Sequence, residues 1–78
     1  MFYSWKKKEY LNNIAKIFEK KSVNEDDTLK DLEFDSLIGL DLTTFNDDKF
    51  PNLKIDYESI QKCKTIKDLI KLYGKKII

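Results

Sequence analysis

Ser36 is the residue best placed to do chemistry in this 78-residue chain, and its neighbours restrict what that chemistry is. It follows Asp35, and the pair opens a run of apolar residues at roughly helical spacing. Aspartate is a favoured N-cap, because its carboxylate accepts a hydrogen bond from a free amide of the first turn. Those free amides and the partial positive charge of a helix N-terminus favour a phosphate nearby. A phosphate ester on Ser36 would be well placed. Nothing activates that hydroxyl as a nucleophile: the chain has no histidine, and no lysine adjoins Ser36. Ser36 therefore reads as the acceptor of a group installed by another enzyme. The missing histidine also excludes a Ser-His-Asp or Cys-His pair and any histidine-ligated metal. Paired carboxylates are available, but no convergent set of acid, base and nucleophile can be assembled. The expectation is a protein that is not an enzyme, with no catalytic residues and no metal.

The elements that must position Ser36 follow from periodicity. Tyr10, Leu11, Ile14, Ile17 and Phe18 share one face of a helix expected from about Ser4 to Lys21. Residues 22–35 break the period, and Leu29, Leu32 and Phe34 should pin this long loop to the core. The second helix should start at Asp35-Ser36, carry Leu37, Leu40, Leu42 and Phe45, and stop at Phe50-Pro51. Gly39 weakens it by about 1 kcal/mol relative to alanine. A short turn is expected over Asp56 to Gln61, with Ile55 and Ile60 facing inward. The last helix should start at Thr65, with Asp68 completing a variant capping box. It carries Ile66, Leu69, Ile70 and Tyr73 as its inner stripe and ends at Gly74.

Charge is segregated beneath a net of +1. Residues 1–24 hold six lysines against Glu9 and Glu19; residues 59–78 hold six against Asp68. Between them, residues 25–58 hold eleven acids against Lys30, Lys49 and Lys54. An acidic middle repels nucleic acid and attracts a basic protein surface. The single cysteine, Cys63, cannot close an internal disulfide, no apolar run reaches the length of a membrane span, and the N-terminal residues lack a signal peptide's apolar stretch. The expected location is the cytoplasm, the expected organisation a single domain over residues 1–78, and the expected state a monomer.

The stretch Asp31-Leu32-Glu33-Phe34-Asp35-Ser36-Leu37 resembles the attachment motif of acyl carrier proteins, whose core is Asp-Ser-Leu with a leucine three residues before the aspartate. The likeness continues through Asp41-Leu42, Asp47-Asp48-Lys49-Phe50, Ile55-Asp56 and Thr65-Ile66-Lys67-Asp68-Leu69, and so spans nearly the whole chain. The resemblance implies an all-α fold: a small four-helix bundle, three main helices and one short, with a long loop between the first and second. It implies that Ser36, beside Asp35, carries 4′-phosphopantetheine transferred from coenzyme A by a phosphopantetheinyl transferase. The thiol of that arm would hold acyl intermediates of fatty-acid or related biosynthesis as thioesters. Acyl-transferring and acyl-processing enzymes with basic docking surfaces would meet Leu37, Asp41, Asp47 and Asp48. Leu42, Phe45, Phe50, Ile66 and Leu69 would form the core and sheath the acyl chain.

Each residue also has a plainer reading. Ser36 could be a small polar residue at a helix start, Asp35 is an N-cap on either view, and Leu37 could be core. Asp41, Asp47 and Asp48 could be solubility charges. The chain also departs from the pattern. Glu33 stands where the family usually has glycine, Thr43 and Thr44 replace positions often apolar in fatty-acid carriers, and the net charge is near zero. An aminoacyl or peptidyl carrier of a specialised pathway and a non-carrier acidic helical interaction module are the alternatives.

Overall fold

Three side-chain caps set where the helices of this chain begin. In the structure, a computed structural model that describes residues 5–78, Asp35, Asp56 and Thr65 each accept a hydrogen bond from an amide of the turn that follows. The helices so started are α2, Ser36–Lys49, α3, Tyr57–Gln61, and α4, Ile66–Lys71. At α4 the capping box is complete, with the Asp68 side chain reaching back to the Thr65 backbone amide. The first helix, α1, is Lys7–Ile17 and has no side-chain cap. A 3-10 turn, Gly74–Lys76, follows α4. The fold is all-α: among the described residues no β-strand occurs and no helix is long and apolar enough to cross a membrane.

α1 is shorter than the helix expected from about Ser4 to Lys21, and hydrogen bonds explain both ends. The expected start at Ser4 lies outside the described residues. Trp5 is already paired elsewhere: its amide donates to the Lys76 carbonyl and its carbonyl accepts from Ile78, in a parallel bridge with Ile77. At the other end the Glu19 amide donates to Lys16 and the Lys20 amide to Ala15. That pattern closes a helix by satisfying its last carbonyls, and it holds Glu19 at φ +59°. Lys20 and Lys21 therefore fall outside the helix.

α1 and α2 pack in opposite directions. Phe18, just past the end of α1, meets Phe34, just before α2, with ring centroids 6.3 Å apart. Trp5, before α1, packs on Phe45 and Phe50 at the far end of α2, at 5.7 and 5.4 Å. Tyr73 joins from beyond α4, edge-on to Tyr10 and Phe50. Tyr10, Ile14, Leu42, Ile60, Ile66 and Leu69 are fully buried at the centre.

The loop between α1 and α2 is fastened at several points. Val23, Leu29 and Leu32 are buried and Phe34 is half-buried. Its backbone is also tied to the start of α4: the Leu29 amide donates to Lys64, and those of Ile66 and Lys67 donate to Asp27 and Glu25. Leu32, Glu33 and Phe34 donate back to Thr28, Lys30 and Leu29, forming one helical turn closed like the end of α1, with Glu33 at φ +61°. The loop thus delivers Asp35 to α2 from a fixed turn.

α3 crosses α2 at Gly39, where a Cβ would overlap the Tyr57 ring. The glycine that weakens α2 as a helix is what lets α3 approach it. Asn46 also faces inward from α2, 1% exposed. Its Oδ1 accepts from the Tyr73 hydroxyl, which accepts from the Tyr10 hydroxyl at 3.1 Å, whereas its Nδ2 is buried without a partner.

Candidate functional site at the head of α2

Ser36 is the first residue of a 14-residue helix and is exposed, as are Asp35 before it and Leu37 after it. Asp35 is extended, and its Oδ1 accepts from the Ile38 amide at 2.9 Å while its carbonyl accepts from Gly39 at 3.0 Å. The cap engages the Ile38 amide and leaves Ser36 exposed, and no acidic residue follows within the first turn. Such a helix end tolerates a phosphate ester, with the helix dipole favouring its charge. The residues present therefore fit a covalently attached phosphate-linked group at Ser36. An ion pair joins Lys20 Nζ, just past α1, to Glu33 Oε1 in the turn before Asp35, at 3.5 Å.

The outer face of α2 is a continuous exposed strip. At 100° per residue, Ser36, Leu40 and Asp47 fall along one line, and Leu37, Asp41, Thr44 and Asp48 along the next. All seven are exposed, with Leu37 at 70% and Leu40 at 59%. Two bare leucines beside three carboxylates make a surface that is apolar near Ser36 and acidic further along. Asp41 stands one turn from Leu37, whereas Asp47 and Asp48 lie about 17 Å down the helix from Ser36. Leu40, expected only as one of the apolar residues of the helix, is the member not expected among the partner-binding residues. The signal that would have found it is its spacing of three from Leu37 and four from Ser36.

The inward set is placed differently. Leu42, Phe50, Ile66 and Leu69 are buried, and Phe45 is half-buried against Trp5. An open cleft of about 300 Å³ is lined by Thr43, Asp47, Pro51, Leu53, Lys54, Ile55 and Asp56. None of the five residues expected to sheath an acyl chain lines it. Cys63 is half-buried, with its thiol against the Ser59 carbonyl at 3.5 Å, and burial raises its pKa. No group of three or more metal-ligating side chains is assembled among the described residues.

Compared with family models, curated proteins and solved structures, the chain matches none of them.

Proposed function

We propose that this chain is an acyl carrier protein: a small four-helix bundle that bears 4′-phosphopantetheine on Ser36 and passes acyl intermediates between cytoplasmic biosynthetic enzymes. The observation that carries the reading is the conformation of Glu33. The attachment motif of the family has glycine at this point, and here the backbone holds φ +61°, the region glycine favours, in the turn that leads into Asp35-Ser36. The side chain departs from the motif while the backbone geometry that the motif's glycine would serve is kept.

In this reading the residues have distinct tasks. Asp35 fixes the first turn of α2 through Ile38, and Ser36 is exposed at its start. Loading forms a bond from the Ser36 oxygen to phosphorus as the pyrophosphate bond of coenzyme A breaks. The hydroxyl proton passes to a base of the transferase, and adenosine 3′,5′-bisphosphate leaves. When bound, 4′-phosphopantetheine supplies the thiol that holds acyl groups as thioesters. Leu37 and Leu40 give partner enzymes an apolar contact, and Asp41, Asp47 and Asp48 steer basic docking surfaces toward it. Exposed charges of this kind speed encounter more than they tighten it, which suits a shuttle.

Incubation with coenzyme A, magnesium and a broad-specificity phosphopantetheinyl transferase tests the reading by intact mass. The expected product gains one phosphopantetheine, and Ser36→Ala gains none. No gain in folded protein, also with the host's own transferase, rejects the carrier and leaves an acidic helical interaction module. Enzymatic loading of an amino acid on the arm would instead make it an aminoacyl carrier.

A further inference from the structure

Two runs of lysine that lie far apart in the sequence meet on one surface. The Trp5 amide donates to the Lys76 carbonyl at 2.7 Å, the Ile78 amide to the Trp5 carbonyl at 2.8 Å, and the Lys7 amide to the Ile78 carbonyl at 2.9 Å. These bonds lace the segment before α1 to the segment after the 3-10 turn, with Trp5 and Ile77 as the bridged pair. Both bridged side chains are buried. Lys6 and Ile77 are extended, so alternation turns Lys6 and Ile78 outward, and Ile78 is 65% exposed. Lys7, Lys8 and Lys75 are exposed beside them, and Lys76 is half-buried. Glu9, in the first turn of α1, and Glu25, paired with Lys7 at 3.2 Å, offset part of this charge. The lysines are poorly placed for the helix itself. α2, α3 and α4 each begin at an Asp or Thr cap, whereas α1 begins at Lys6-Lys7-Lys8 with no side-chain cap. A helix N-terminus disfavours cations, so lysine gathered here points to a partner rather than to folding.

We propose that this basic end docks on an anionic lipid bilayer, with the lysines among the headgroups and Ile78 entering the apolar boundary beneath them. A patch of lysine suits any polyanion, and the bare isoleucine within it selects lipid, because only a bilayer offers apolar chains under a layer of negative charge. The acidic residues of α2 also disfavour a long polyanion that wraps the molecule, whereas a flat surface meets one end alone. Near that end Asp48 is paired with Lys49 at 3.4 Å and Asp47 lines the cleft. Trp5 packs on Phe45 and Phe50, so the basic end lies at the close of α2 and Ser36 at its start, about 20 Å along the helix. A docked chain therefore holds Ser36 at the end away from the bilayer. Each lysine close to an anionic leaflet raises partitioning roughly five-fold, so a patch of this size binds reversibly and gives way to salt. The proposal does not depend on the carrier reading.

The test is co-sedimentation of the full chain, in low salt, with vesicles of phosphatidylcholine alone and of phosphatidylcholine and phosphatidylserine in equal parts. The expected result is many-fold greater binding to the anionic vesicles and release in about 1 M salt, where the Debye length is about 3 Å. Lys6→Glu with Lys75→Glu should abolish binding. Lys21→Glu with Lys30→Glu makes the same change in net charge at exposed lysines beyond the other end of α1, and should leave most of it. Ile78→Ser should weaken binding several-fold. Equal binding to both kinds of vesicle, or equal loss in the two double variants, overturns the proposal. So does tight binding to duplex DNA without binding to the anionic vesicles, which would assign the patch to nucleic acid. The comparison of vesicles and salt uses the unaltered chain, so it needs no variant to fold.

Discussion

The hydroxyl of Tyr73 is the middle link of a buried chain that runs from Tyr10 to Asn46. Tyr73→Phe removes the donor to Asn46 and leaves both ends of that amide without a partner. It should destabilise the fold by about 1–3 kcal/mol in a urea titration, whereas replacing Tyr10, Asn46 and Tyr73 together with Phe, Leu and Phe should cost less than the single change. The same residues govern the alkaline limit. Burial pushes the Tyr73 phenol up to about 12 and the Tyr10 phenol well above its ordinary value. The unfolded chain releases these protons near pH 10, so stability is full below pH 10 and falls as pH rises toward and through 12. Melting temperatures between pH 9 and 12 should show that decline, and it should flatten in the variant lacking both phenols. Asn46 was the residue the sequence hid most. α2 is apolar on two sides, with Leu37 and Leu40 outward and Ile38 and Leu42 inward, so periodicity alone does not pick its buried face.

Helix boundaries were legible wherever a side chain makes the cap. Asp35 and the Thr65–Asp68 box stand where the sequence places them, since each depends on residues three apart in the chain, whereas Asp56, expected as the first residue of its turn, is the cap before it. The Asp68 carboxyl is held below its ordinary value chiefly by the Lys64 and Thr65 amides, and Asp56 chiefly by Ser59. A lowered folded value means that this stability is present above the ordinary carboxylate range and is lost as pH falls through the folded values. Asp68→Asn should therefore flatten the acid limb of a melting curve taken from pH 6 to 2. The end of α1 was not legible, because its stop is made by Glu19 in a left-handed conformation rather than by glycine. Glu19→Gly should stabilise the fold by about 1 kcal/mol, read from the shift in urea midpoint. Glu33→Gly should gain less, because it also gives up the exposed pair with Lys20. At Gly39 the propensity argument is reversed by packing. Alanine should gain about 1 kcal/mol of helix propensity, yet destabilise the protein while Tyr57 is present and stabilise it in a Tyr57→Ala background.

At the scale of the whole molecule, the helical order, the long loop and the place of Ser36 follow from patterns within short windows, whereas the pairing of Trp5 with Ile77 does not. An isolated bridge between residues so far apart leaves no period to read. The segregation of charge becomes spatial on α2, where Asp41, Asp47 and Asp48 share an exposed strip with Leu37 and Leu40. If that strip meets the transferase, Asp41→Lys with Asp48→Lys should raise KM several-fold, leave kcat nearly unchanged and weaken the salt dependence of the rate. The central claim is attachment at one of the chain's four serines, Ser4, Ser22, Ser36 and Ser59. The most direct measurement is peptide mass mapping after reaction with coenzyme A and the transferase. The expected result is one phosphopantetheine on the peptide holding Ser36 and none elsewhere. Folded protein that stays unmodified, or carries the group on another serine, would contradict it.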